Sequence, residues 1–126
     1  MSKQDSAPNP DRKNLAEVLS ELKAEYLEAF PSKLEKLKKL THEQDWLLLA
    51  EEYHKLKGTG KTYGYPEISI VCEKLENLAQ NKAHQRPELF GQALILMENL
   101  YTSYRNQKSI DLKKDPIAKS ILNVKL

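Results

Sequence analysis

The chain has 126 residues, 30% of them charged and 7% aromatic, with a net charge of about +2. That length suits one domain with a modest core, and so balanced a charge gives no case for a nucleic-acid partner. No apolar run reaches the roughly 18 residues of a membrane span, and no leader pattern opens the sequence, so no membrane association is expected. A single cysteine, Cys72, excludes an internal disulfide and fits a reducing compartment, which makes the cytoplasm the expected location. Leu, Glu and Lys dominate and Gly is scarce, as in all-helical chains.

Residues 1–13 combine Ser, Asn, Asp and two prolines without apolar rhythm, and read as a flexible N-terminal arm. From Asn14, a plausible N-cap, the residues Leu15, Val18, Leu19, Leu22, Tyr26, Leu27 and Phe30 recur at helical spacing. Pro31 either kinks this helix or starts a new one at its first position. Leu34, Leu37 and Leu40 extend the apolar edge, with Lys33, Lys36, Lys38 and Lys39 on a solvated face. Thr41 to Gln44 read as a connector, in which Thr41 and Gln44 have the spacing of a capping box and His42 is a loop residue without chemistry.

The next helix, from Trp46 to about Lys61, carries the chemistry. Trp46, Leu49, Ala50, Tyr53 and Leu56 form its buried face, and His54 lies toward the solvent edge of that face. Ala50 and Gly58, four residues before and after His54, stack beside it on the helix surface and leave its imidazole open to a bulky visitor. Lys57, three residues on, can bring an ammonium to whatever the ring carries. Leu47 lies on the side of His54 two turns earlier and Leu48 points further out; both suit either a partner's landing pad or a neighbouring helix.

Gly64 is placed as a C-terminal glycine stop, and Pro66–Glu67 as the first turn of a third helix with Ile68, Val71, Leu75 and Leu78 inward. Cys72 reads as a small hydrophobe, with no second Cys or paired His spaced to make a metal site. Residues 81–86 form a polar loop with a solvated His84. Pro87–Glu88 opens the last long helix, whose inward face runs from Leu89 and Phe90 through Met97 to Tyr104. After Asn106 the pattern weakens; Pro116 permits a short helix over about 116–124, either packed back on the bundle or free for a partner. The sum is an all-α chain: an antiparallel up-down four-helix bundle over 14–106, with an extra N-terminal helical segment and a C-terminal tail over 107–126.

The run His54-x-Leu56-Lys57-Gly58 followed by Gly64 resembles the signature of the histidine-containing phosphotransfer (HPt) domain family. The likeness covers about residues 26 to 105. It continues through Ile68, Val71, Cys72, Leu75 and Glu76, and through the acidic-aromatic step Asp45-Trp46. One departure is Thr59-Gly60 in place of the usual pair of Ser or Ala, with an earlier fraying of the helix expected from the extra glycine.

The resemblance implies a phosphocarrier of a multistep phosphorelay. It accepts a phosphoryl group on His54 from a receiver-domain aspartate or a histidine kinase and passes it to another receiver. Lys57 would offset phosphate charge and Gly58 would give access. Leu47, Ala50, Lys55 and Lys61 would dock the partner, the lysines suiting an acidic surface. Magnesium is expected on the receiver, and no cofactor or metal on this chain. Neither a Walker-type nor a protein-kinase Gly-rich loop occurs, so the chain is not expected to phosphorylate itself. Two other readings stand beside this one: a helical adaptor that binds a receiver or kinase without carrying phosphate, and the phosphorylated segment of a larger hybrid kinase.

Overall fold

The computed structural model describes residues 14–81 and 83–126. The arm expected over residues 1–13 lies outside them. Among the described residues five helices follow one another: α1 (Leu15–Glu43), α2 (Trp46–Thr62), α3 (Pro66–Asn81), α4 (Glu88–Arg105) and α5 (Pro116–Leu122). Connectors between α1, α2, α3 and α4 are short, so successive helices run antiparallel, and they close a ring in which α1 also packs on α4. The core holds Phe30, Leu37, Leu49, Tyr53, Ile68, Leu75, Phe90 and Met97, all essentially inaccessible. The expected extra N-terminal segment is the first part of α1.

Helix α1 runs unbroken through Pro31, which neither ends it nor starts another. Proline at this position takes away the hydrogen bond to the Leu27 carbonyl and costs about 3 kcal/mol in an isolated helix. Burial of Phe30 and Leu34 on either side offsets that cost. The helix also takes in Thr41, His42 and Glu43, where the sequence pattern predicts a connector. Leu40 is buried, and it holds this last turn onto the bundle. Thr41 therefore caps nothing; its hydroxyl donates back to the Leu37 carbonyl at 2.7 Å. The N-cap of α2 is Asp45, whose carboxylate accepts the Leu48 amide at 3.2 Å, after Gln44 has turned the chain in the left-handed region.

The α2–α3 turn follows from Gly64. Its φ of +86° suits glycine alone, and the Tyr65 amide donates to the Gly60 carbonyl at 2.7 Å, closing a Schellman turn. Gly60 does not fray the helix: α2 continues to Thr62, and Gly60 is buried where α2 and α3 meet. A Cβ there would stand 2.9 Å from Ile68 Cγ2 and 3.1 Å from the Ser69 amide nitrogen. Thr59, the other departure in this stretch, shares a 2.9 Å hydrogen bond with the Tyr26 hydroxyl and so ties α2 to α1. Tyr26 in turn stacks between Tyr63 and Tyr65, at 5.1 and 5.6 Å.

The C-terminal residues pack back. Asp115 caps α5 through the Ala118 amide at 2.9 Å, and Ala118 and Ile121 insert fully between α3 and α4. Lys74 Nζ donates to the Val124 carbonyl and fastens the end of the chain to α3. In contrast, Leu15, Val18, Leu19 and Leu22, which share the apolar rhythm of α1, lie in solvent because no other described element rises beside them.

Candidate phosphotransfer site

His54 stands on α2 with 64% of its side chain exposed. Neither its own bundle nor the C-terminal segment roofs it. Its Nδ1 lies 2.9 Å from Glu76 Oε2, on α3. The other oxygen of that carboxylate, Oε1, receives Lys57 Nζ at 3.0 Å. One acidic side chain, only 14% exposed, thus joins the imidazole and the ammonium. Burial alone would push the Glu76 carboxyl up, but the bonds from Lys57 and His54 outweigh it and hold the group below its usual range.

Glu76 reaches both partners because α2 and α3 approach closely. Gly60 removes the side chain that would separate them, and Ser69 Oγ donates to the Lys57 carbonyl at 2.6 Å. That pins the register in which residue 76 faces residues 54 and 57. Ionised Glu76 only accepts hydrogen bonds, so His54 Nδ1 must be the donor. In the neutral ring the lone pair then belongs to Nε2, on the side of the imidazole turned away from α3. A neutral imidazole nitrogen that carries a free lone pair is a nucleophile. The arrangement therefore presents a nucleophilic nitrogen in a fixed tautomer, with a carboxylate behind it to stabilise the positive charge the ring gains on attack.

The other residues singled out by the sequence fall around this centre. Gly58 is exposed, and a Cβ added to it would meet nothing within 4 Å, so the space beside the ring is open. A groove of about 670 Å³ runs from His54 toward the N-terminal end of α2, lined among others by Trp46, Leu47, Ala50, Ala79, Ala83 and His84. Leu47 is exposed at its edge. Ala50, expected as a docking contact, is buried and forms part of the groove wall. His84 is exposed, with its ring edge-on to Trp46 at 6.3 Å.

Lys55 and Lys61 are exposed as well, but Lys55 Nζ is 3.1 Å from Glu52, which also takes Lys36 at 3.0 Å. With Lys57 on Glu76, two of the three lysines near the site are paired within the chain. The face is accordingly less positive than the count of lysines implies. In the sequence Glu76 stands only as a step in the family pattern, with no role attached to it. Its distance of 22 residues from His54 carries no local signal; only the α2–α3 register brings the two together.

No cluster of three or more His, Cys, Asp or Glu able to hold a metal occurs among the described residues, and no described helix is long and apolar enough to cross a membrane. Comparison with curated proteins and with solved structures found no match. The model of the Hpt domain matches residues 21–107, and with them α2, α3 and α4 entire and most of α1. This match covers well over half of the sequence and includes His54, Lys57, Gly58 and Glu76, so the chain belongs to the Hpt domain family, whose work is phosphotransfer in two-component phosphorelays.

Proposed function

We propose that this chain is a phosphocarrier that takes a phosphoryl group onto His54 Nε2 from the aspartyl phosphate of a receiver domain and yields it to another receiver. The Nε2 lone pair attacks phosphorus and the bond from phosphorus to the aspartyl oxygen breaks. Its electrons return to the aspartate as carboxylate. The ring, still protonated at Nδ1, becomes cationic, and Glu76 stabilises that charge across the 2.9 Å contact. Release to the next aspartate is the same step reversed. Lys57, tethered to Glu76 one turn from the ring, supplies a cation to the incoming phosphate through its flexible stem. Gly58 keeps the approach clear, while Leu47, Lys55 and Lys61 border the surface on which the receiver settles. A histidine kinase is a further donor. The magnesium ion belongs to the receiver in this reading, and the exchange takes place in the cytoplasm.

The observation that carries this reading is the open imidazole whose Nδ1 is committed to a carboxylate from a second helix. A helical adaptor without phosphate has no use for that arrangement. The test is uptake of radiolabel from phosphorylated receivers of the source organism, and acid-labile label on the wild type is expected. The His54→Gln variant should take up none. Label persisting on that variant would place the acceptor elsewhere, and absence of label on the wild type with every receiver would favour the adaptor.

A further inference from the structure

Every residue of α1 from Leu15 to Glu25 is exposed. This stretch extends about 16 Å along the helix axis. It carries Leu15 (73% exposed), Val18, Leu19 (53%) and Leu22 at the i, i+3, i+4, i+7 spacing of a single apolar stripe. Three turns of helix are marginal without packing, and a contiguous apolar patch of this kind marks a contact surface. Leu15, Val18 and Leu19 precede the residues matched by the family model and Leu22 falls within them, so the stripe straddles the start of the shared domain.

The preceding thirteen residues have Met1 and Ala7 as their only apolar side chains, too few to supply a matching stripe. Charge then selects the occupant. Glu21 and Glu25 follow one edge of the stripe, and Glu17 and Glu28 lie further round the same side, all exposed. Lys23 is the one basic residue between positions 14 and 30, and its ammonium sits over the Tyr65 ring, 5.0 Å from the centroid. We infer that the projecting part of α1 docks an amphipathic helix of a partner protein, with an apolar stripe of its own bordered by lysine or arginine.

A second copy of this chain fits less well. Antiparallel pairing sets like edges together, here carboxylates against carboxylates. Parallel pairing brings two bundles to the same side, because Tyr26 and Phe30 continue the stripe directly into the core. An anionic lipid surface meets the same carboxylates. The docking surface is independent of the phosphotransfer reading, since either can hold without the other.

The experiment uses the full chain and two synthetic helical peptides of identical apolar stripe, one bordered by lysines and one by glutamates, with binding followed by fluorescence anisotropy. The lysine peptide should bind at least about tenfold more tightly, a difference of about 1.4 kcal/mol. Leu19→Ser/Leu22→Ser should weaken it about tenfold or more, with label uptake on His54 unchanged because both side chains are exposed on α1, a different helix from the one that carries His54. Glu21→Lys/Glu25→Lys should invert the preference between the peptides. Equal binding of the two peptides, or of neither, overturns the inference. So does a dimer in sedimentation that Leu19→Ser dissolves, which makes a second copy the occupant, or stripe-dependent binding to phosphatidylserine vesicles.

Discussion

Replacing Glu76 by Gln tests the site most directly, because it removes one charge and almost no volume. The side-chain oxygen can still accept from His54 Nδ1, so the ring keeps a partner but loses the carboxylate 2.9 Å away. A unit charge pair at about 4 Å is worth about 4 kcal/mol near a protein surface and about 1 kcal/mol in water. His54 is well exposed while Glu76 is mostly covered, so the loss in the transition state should fall near the lower figure, about 1.5 kcal/mol. That corresponds to about tenfold in the transfer rate, within the range for outer partners of reactive histidines. The assay is the initial rate of label transfer from a phosphorylated receiver near pH 7, with a thermal melt alongside. Nitrogen chemical shifts of the ring supply an independent readout: the wild type should be mostly the Nδ1–H tautomer and the variant a mixture. A rate within twofold of wild type, with the tautomer unchanged, refutes the assignment of Glu76 as the positioning residue.

The two glycines of α2 should respond oppositely to alanine. Gly58→Ala meets open space and gains helix propensity, so stability should rise by about 0.5–1 kcal/mol while transfer slows as a methyl enters the approach to the ring. Gly60→Ala drives its Cβ against Ile68 and the Ser69 amide and should lose about 1–3 kcal/mol in a denaturant titration. Lys57→Ala should shorten the phosphohistidine lifetime or slow its formation with little change in melting temperature, its pair with Glu76 being partly solvated; unchanged kinetics would remove Lys57 from the site. Stability should fall at both ends of the pH scale. Glu52 and Glu76 are held below the usual carboxylate range, so their contribution is complete above the unfolded value of about 4.5 and is lost as pH falls through the folded values. Burial pushes Tyr26 from 10.0 up to about 12, so its contribution is complete below 10 and lost as pH rises toward 12. A chemical-denaturation series flat across both windows would contradict these environments.

Much of this was legible in the residues, and what was not has physical reasons. His54, Lys57 and Gly58 share one helix, and spacing along a helix fixes their relative positions without reference to the rest of the fold. Glu76 sits on another helix, and its role depends on a register set by Gly60 and by the Ser69–Lys57 bond, neither visible as a pattern. Gly60 taken alone signals weak helix, because propensity registers the missing side chain and not the neighbour that fills its place. Thr41 has the right chemistry for a cap, and so does Asp45; burial of Leu40 decides between them by carrying α1 past Thr41. The stripe at Leu15–Leu22 has the rhythm of a core helix, and rhythm marks a face that wants covering without saying what covers it.

The reactive centre is divided between two helices joined by the tight turn at Gly64. If α3 swings away, even briefly, the imidazole loses its backing and reverts to an ordinary surface histidine. On the proposed reading, copies in which α3 is not seated against α2 would be slow to acquire phosphate and slow to give it up. The proposed transfer would then depend on the same α2–α3 seating that Gly60 and the Ser69–Lys57 bond provide.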